Sequence, residues 1–194
     1  MEIVQVFARQ KESITPLVDS NKITTTFTNL APADLYIIAV SDDAIAKVSS
    51  QIPFENRLVV HTSGTVSIDS LDSKNRKGIF YPLQTFTKNK AVDFSSIPIC
   101  LESENESDFE LLKNVAESIS NAVFKINSEQ RKVLHVSAVF VNNFVNHLYQ
   151  MGQEICIENK VPFEILKPLI LETANKIMTL SPAAAQTGPA KRND

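Results

Sequence analysis

This sequence predicts a doubly wound α/β domain, residues 1–127, followed by an all-helical domain, residues 128–194, and three observations predict it. Short, nearly continuous apolar runs alternate with helix-like stretches over most of the chain, as parallel strands buried on both faces require. The polar turns fall where those strands end, the usual place for function in such sheets. Beyond residue 127 the texture changes, since Ser128 to Asn159 holds no proline and one glycine, Gly152.

Residues 3 to 8 alternate as a strand does, and 12 to 20 have the composition of a short helix. "LYIIAV", residues 35 to 40, is a strand buried on both faces, and the helix over 42 to 50 is capped by Ser41 or Asp42. Strands follow at 57 to 61 ("RLVVH"), 78 to 81 ("GIFY") and 97 to 101 ("IPICL"). "ENESDFELLKNVAESIS" carries Phe109, Leu112, Val115 and Ile119 at helical spacing, and "NAVFKI" adds a last strand. The long helix after Ser128 is apolar on most of its faces, from Val133 through Phe140 to Leu148, and a second helical stretch starts at Pro162. A helix of that kind must be covered by protein, and the residues after Asn159 are too few to cover it. A partner subunit or further chain is therefore expected. The tail "SPAAAQTGPAKRND" reads as a loop or linker.

Composition narrows the function classes. With 43% hydrophobic and 21% charged residues the balance is that of an ordinary soluble protein. A net charge of -3, with basic patches only at Arg131-Lys132 and Lys191-Arg192, argues against nucleic acid as a partner. No apolar run is long enough to cross a bilayer and no basic segment leads into a secretory core, so a cytoplasmic location is expected. Cys100 and Cys156 read as separate buried thiols, and His61, His135 and His147 have no metal-ligand spacing.

Candidate site residues cluster at the strand ends. In a dinucleotide-binding sheet the second strand ends beside the adenine ribose, where a cation accommodates a 2'-phosphate and so selects NADP. "VQVFARQK" places Arg9 and Lys11 there if it is that second strand; otherwise Arg9 is a solvated strand-end residue. Val40, Ser41 and Asp42 follow a buried strand at the point where a cofactor would cross the sheet edge. His61, Thr62, Ser63 and Gly64 end the next strand and could hold a carbonyl substrate or a nicotinamide amide. The alternative is a plain polar turn, with Asp69 and Ser70 capping a short helix. The strand end "GIFYPLQTFTKNK" places Tyr81, Gln84 and Thr85 in a loop, with Tyr81 and Gln84 candidates for holding the substrate, though Tyr81 by itself reads as a packed aromatic.

The blocks "HTSGTVSIDSL", "GIFYPLQTF", "SEQRKVLHVSAVFVNNFVNHL" and "QTGPAKRND" together resemble a family of bacterial Rossmann-like proteins with a DUF2520 C-terminal domain. The resemblance runs over essentially the whole chain. The family is distantly related to pyrroline-5-carboxylate reductase and the 3-hydroxyacid dehydrogenases. It implies a nucleotide-binding domain for NADP(H), a helical domain that commonly forms a homodimer, and a small-molecule substrate. Family members begin with a strand and a Gly-rich turn and continue with helices beyond the GPAKR segment. This chain is expected to be a member cut at both ends, with a Rossmann-like sheet lacking its first strand and turn, and to bind NADP weakly or not at all.

In the related 3-hydroxyacid dehydrogenases a catalytic lysine stands three residues before an Asn pair. Here Asn142 and Asn143 keep the pair, but Val139 replaces the lysine. His135 lies four residues before Val139, on the same helix face, and could exchange the proton that accompanies hydride transfer. Its other reading is a helix histidine bonded within the core or across a dimer seam. Thr187 and Arg192 flank a Gly-Pro turn able to receive a carboxylate or phosphate. The expected function is an NADP-dependent oxidoreductase acting on a small carbonyl, hydroxyl or imine compound that bears an acid group. In it His135 and Asn143 handle the proton, and Ser63 with His61 orients the reacting group. The alternative is a non-catalytic nucleotide-binding or oligomeric scaffold.

Overall fold

In the computed structural model, which describes residues 2–87 and 90–187, the chain divides into two compact units, Met1–Ser137 and Ala138–Asp194. Residues 128–137, expected with the helical domain, belong to the first unit.

The first unit begins with a separate parallel pair, β1 (Val6–Phe7) and β2 (Ile23–Thr24). Gln5 fastens this pair to the chain approaching the main sheet. Its Nε2 donates to Asn29 O at 3.1 Å and its Oε1 accepts from Ala31 N at 2.8 Å. Between the two strands the helix expected over 12 to 20 is not formed. A 3-10 turn at Lys11–Ser13 gives way to irregular turns, because Pro16 has no N–H and its ring clashes with a preceding helical turn.

The main sheet has the order β3 (Leu35–Ile38), β4 (Leu58–His61), β5 (Arg76–Pro82), β6 (Ile99–Ser103), β7 (Val123–Lys125). β3, β4 and β5 run parallel, as do β6 and β7, but β5 and β6 are antiparallel. The sheet is thus mostly parallel rather than wholly so. A parallel step needs a crossover element. Among the described residues between β5 and β6 there is only a 3-10 turn, Phe94–Ser96, and the chain simply doubles back. β3 is an edge strand, with Ile37 exposed, and it does not pair with β1.

Side-chain alternation along the strands builds two cores. Leu58 and Val60 of β4, Phe80 of β5 and Leu101 of β6 pack on Phe109 and Leu112 of α2 (Glu106–Glu117). Gly78 lets α2 come close, since a Cβ there would stand 3.0 Å from Val60 Cγ1 and 3.1 Å from Leu112 Cδ1. On the other face Val59 packs with Ile45 and Ile52 at α1 (Ile45–Gln51). Farther along that face, Ile79, Tyr81 and Cys100 pack against Leu134 of α3 (Ser128–Ala138). Each fully buried Ile or Leu contributes about 2 kcal/mol. α2 starts cleanly because Asn105 Oδ1 accepts from Asp108 N at 2.9 Å.

The second unit continues the helix through a π-helical turn, Val139–Phe144, into α4 (Val145–Glu158). A 3-10 turn at Phe163–Leu166 leads into α5 (Lys167–Lys176), and a short α6 (Pro182–Ala185) follows. Among its described residues only Cys156 is buried, while Leu148 is 62% and Ile155 60% exposed.

Candidate active site

β3 and β4 end side by side, so their following turns meet. Thr62 N donates to Ile38 O at 3.2 Å, extending the ladder one step past His61. His61 is fully buried. Its Nδ1 accepts from Ser63 N at 3.2 Å, which places the ring proton on Nε2 for donation to Ser67 O at 3.3 Å. Burial is the main cause that pulls this imidazole below its ordinary value of 6.5; the Ser67 bond opposes the shift and the Arg131 cation adds to it. A neutral histidine therefore clamps its own turn.

Ser63 Oγ accepts from both Thr65 N and Val66 N at 3.1 Å. Thr65 Oγ1 in turn donates to Asp42 Oδ2 at 2.6 Å and ties this turn to the end of β3. Val40, Ser41 and Asp42 are exposed there. The expected cap on the helix after β3 is not made by the Ser41 side chain; a 3-10 turn, Asp42–Ala44, precedes α1 instead.

Gly64 is where three elements converge. A Cβ at this position would lie 2.5 Å from His135 Nδ1 of α3 and 2.8 Å from Tyr81 Cζ of β5. Tyr81 Oη and His135 Nδ1 are themselves 3.2 Å apart, a hydrogen bond in which either group can donate, according to the imidazole tautomer. Register explains the meeting: His61 pairs with Ile79, so Tyr81 emerges two residues farther along, on the face that α3 covers. Burial raises the Tyr81 phenol above its ordinary value of 10.0, and the group keeps its proton at neutral pH.

Beneath this pair, one helical turn before His135, Arg131 is fully buried. Its Nη1 is paired with Glu102 Oε2, and its Nη2 donates to Val66 O at 2.6 Å. The basic patch read at Arg131-Lys132 therefore splits, with only Lys132 exposed and paired with Glu129 at 2.9 Å. Two signals for Arg131 were present in the sequence: its spacing of four from His135, and a carboxylate, Glu102, ending an otherwise apolar strand.

Of the remaining candidates in the first unit, neither Arg9 nor Gln84 is bonded to this cluster. Arg9 is exposed just beyond β1, and Gln84 is exposed with its Oε1 accepting from Thr85 N at 2.7 Å. In the second unit Asn143 is exposed in the π-helical turn, where its Oδ1 accepts from Asn142 Nδ2 at 3.3 Å, and Thr187 is exposed near the chain end. Arg192 lies outside the described residues. Among the described residues no cluster of His, Cys, Asp and Glu could hold a metal ion, and no helix is long and apolar enough to cross a membrane.

The model of a domain of unknown function, DUF2520, matches residues 97–194. The crystal structure of a Bacteroides fragilis protein provisionally named an NADP oxidoreductase is 40% identical, with a TM-score of 0.87 over 100% of this chain and 78% of that one. A Thermotoga maritima protein is 23% identical, with a TM-score of 0.79 over 97% of this chain and 76% of its own. Pyrroline carboxylate reductase of Plasmodium falciparum, solved with NADP bound, is 14% identical, with a TM-score of 0.61 over 87% and 71%. The last two likenesses are of fold. Comparison with curated proteins finds no match.

Gly64→Ala should drive the turn off Tyr81 and His135 and lower the unfolding free energy by about 1–3 kcal/mol in urea titration. Gly152→Ala, where a Cβ meets nothing within 4 Å, is the control and should leave stability unchanged or slightly raised. A second expectation concerns pH. Because folding depresses the His61 pKa below 6.5, the unfolded chain takes up the proton first as pH falls. The stabilisation is whole above 6.5 and is lost as pH drops through that value toward the folded-state pKa. Urea midpoints between about pH 7.5 and pH 5.5 should show this decline, and His61→Gln should flatten it.

Proposed function

Because the chain belongs to the DUF2520 family, we propose that it is an NADP-dependent oxidoreductase for a small imine, carbonyl or hydroxyl compound that bears an acid group. The observation that carries this reading is the meeting of Gly64, Tyr81 and His135 at the carboxyl ends of β4 and β5. The name of the 40% identical Bacteroides fragilis protein supports the cofactor, and the pyrroline, a cyclic imine, in the name of the Plasmodium falciparum reductase supports the substrate class.

The bound cofactor would supply the hydride. The matching proton is the task of Tyr81, protonated at neutral pH, with His135 Nδ1 as the group that takes up or returns a proton behind it. Gly64, lacking a side chain, leaves the Tyr81 hydroxyl accessible to the imidazole. His61 and Ser63 act by shaping the turn rather than by touching the reacting atoms, since their polar atoms are engaged within it. Val40, Ser41, Asp42 and the Thr62–Gly64 backbone would flank the cofactor, and exposed Arg9 would receive the 2'-phosphate. Residues 2–63 hold no glycine and so supply no Gly-rich turn of their own to a pyrophosphate. Gln84, Thr187 and Arg192 would serve the substrate's acid group, and Asn143 would assist the proton. Val139 in place of a lysine favours the second reading, a scaffold that binds nucleotide without turnover.

The exposed apolar side chains of the second unit, Leu148 and Ile155 two turns apart on one face of α4, belong to a homodimer seam in this reading. Both thiols are free and buried, which suits a reducing cytoplasm.

NADPH oxidation against a panel of cyclic imines and keto acids decides between the readings. Turnover that falls about 100-fold in Tyr81→Phe and in His135→Gln, with NADPH binding unchanged, supports the enzyme. Nucleotide binding without turnover supports the scaffold. Arg9→Glu should erase any preference for NADPH over NADH, and an unchanged preference removes the role given to Arg9. Sedimentation should show a dimer that Leu148→Asp with Ile155→Asp dissociates, whereas a monomeric unaltered chain would discard the seam.

A further inference from the structure

Arg131 is the largest side chain among the described residues with no exposed surface, and it sits among the elements that carry the Tyr81–His135 pair. Three connections leave its guanidinium: to Glu102 of β6, to the carbonyl of Val66 at 2.6 Å, and to Ser128 Oγ at 3.3 Å. Glu102 also accepts from Ser128 N and Oγ, both at 3.0 Å, so the first turn of α3 is bonded to β6 twice over. Its Nε finds no acceptor among the described residues, which leaves the cation dependent on Glu102 for compensation. Val66 lies two residues after Gly64, in the turn shaped by Ser63, and His135 lies one helical turn after Arg131. No other side chain among the described residues is shown bonding both α3 and this turn.

We infer that Arg131 is a positioning residue, whose fork of hydrogen bonds locks helix α3 and the Gly64 turn together so that His135 is held against Tyr81. The inference rests on the functional reading above for its catalytic consequence, and on geometry alone for the lock. A planar guanidinium reaches the Glu102 carboxylate and the Val66 carbonyl at once through two different nitrogens. A lysine ammonium is a single point and cannot hold both in the same geometry. The Tyr81 phenol and the Cys100 thiol also feel this cation, which lowers the pKa of both against the larger effect of burial.

The test uses the full chain, isotope-labelled, with two variants. R131K keeps charge and removes the fork. The pair R131M with E102L removes both charges at similar volume, an exchange buried ion pairs often tolerate. The first reading is the NMR cross-peak between the Gly64 α protons and the His135 ring. It should be present in the unaltered protein and lost in each folded variant. The second is imine reduction at saturating NADPH. Here kcat should fall about 10- to 100-fold while the KM for NADPH stays within about twofold. In R131M with E102L the alkaline limb of kcat should also move to higher pH, because Tyr81 has lost a cation that favoured its ionisation. A folded variant that keeps both the cross-peak and the kcat overturns the inference. If the double variant does not fold, R131K decides by the cross-peak and the kcat. Absence of turnover in the unaltered chain would overturn the functional reading, and the cross-peak would still decide the lock.

Discussion

Side chains on β4 and β5 must alternate between two faces, and each face is closed by a different helix. Leu58, Val60 and Phe80 turn toward α2, where contact with Phe109 and Leu112 holds the sheet to one layer. The opposite set, Val59, Ile79 and Tyr81, turns toward α1 and α3. A one-residue slip in either strand would exchange the two sets and place Tyr81 under α2. Everything polar at the strand ends inherits its position from that alternation. His61 closes its own turn, Gly64 is free to approach, and Tyr81 arrives beside His135.

Three polar residues in this region, His61, Ser63 and Arg131, are buried, and buried polar groups are stable only when bonded. Their bonds form a connected system. Asp42, Thr65 and Ser63 link two turns, and His61 links the start of its turn to Ser67. Arg131 and Glu102 link the helix to both sheet and turn. Leaving one charge of such a pair unpaired in the interior is more damaging than replacing both by apolar groups. The imidazole of His61 stays neutral for a related reason, because a proton on Nδ1 would abolish its bond to the Ser63 amide while adding an unsolvated charge.

The two units differ in how they meet water. The first hides its central strands under helices, whereas the second leaves most of its large apolar side chains exposed. A helical unit with Cys156 as its sole buried described residue has little core of its own. β3 stands at the edge of the main sheet, and edge strands present unpaired N–H and C=O groups.

Local chemistry in the sequence was enough to mark the apolar strands β3 to β7, the amphipathic α2 and the long helix from Ser128, because periodicity and capping act within a few residues of chain. It also marked His61, Ser63 and Gly64 at a strand end and His135 on an apolar helix. It misplaced the helix over 12 to 20, broken by Pro16, and missed β2, whose two residues are too few to show a period. The antiparallel turn from β5 to β6 depended on whether any residues between them could form a crossover helix. Tyr81 read as packing and Arg131 as surface charge, since nothing within ten residues of either reveals its partner. Glu102 and Val66 lie 29 and 65 positions from Arg131, and His135 lies 54 from Tyr81. Pairing over such separations is settled only when the sheet and α3 have packed, so the sequence by itself determined which elements form and which polar residues end them. The tertiary structure alone decided which of those residues meet.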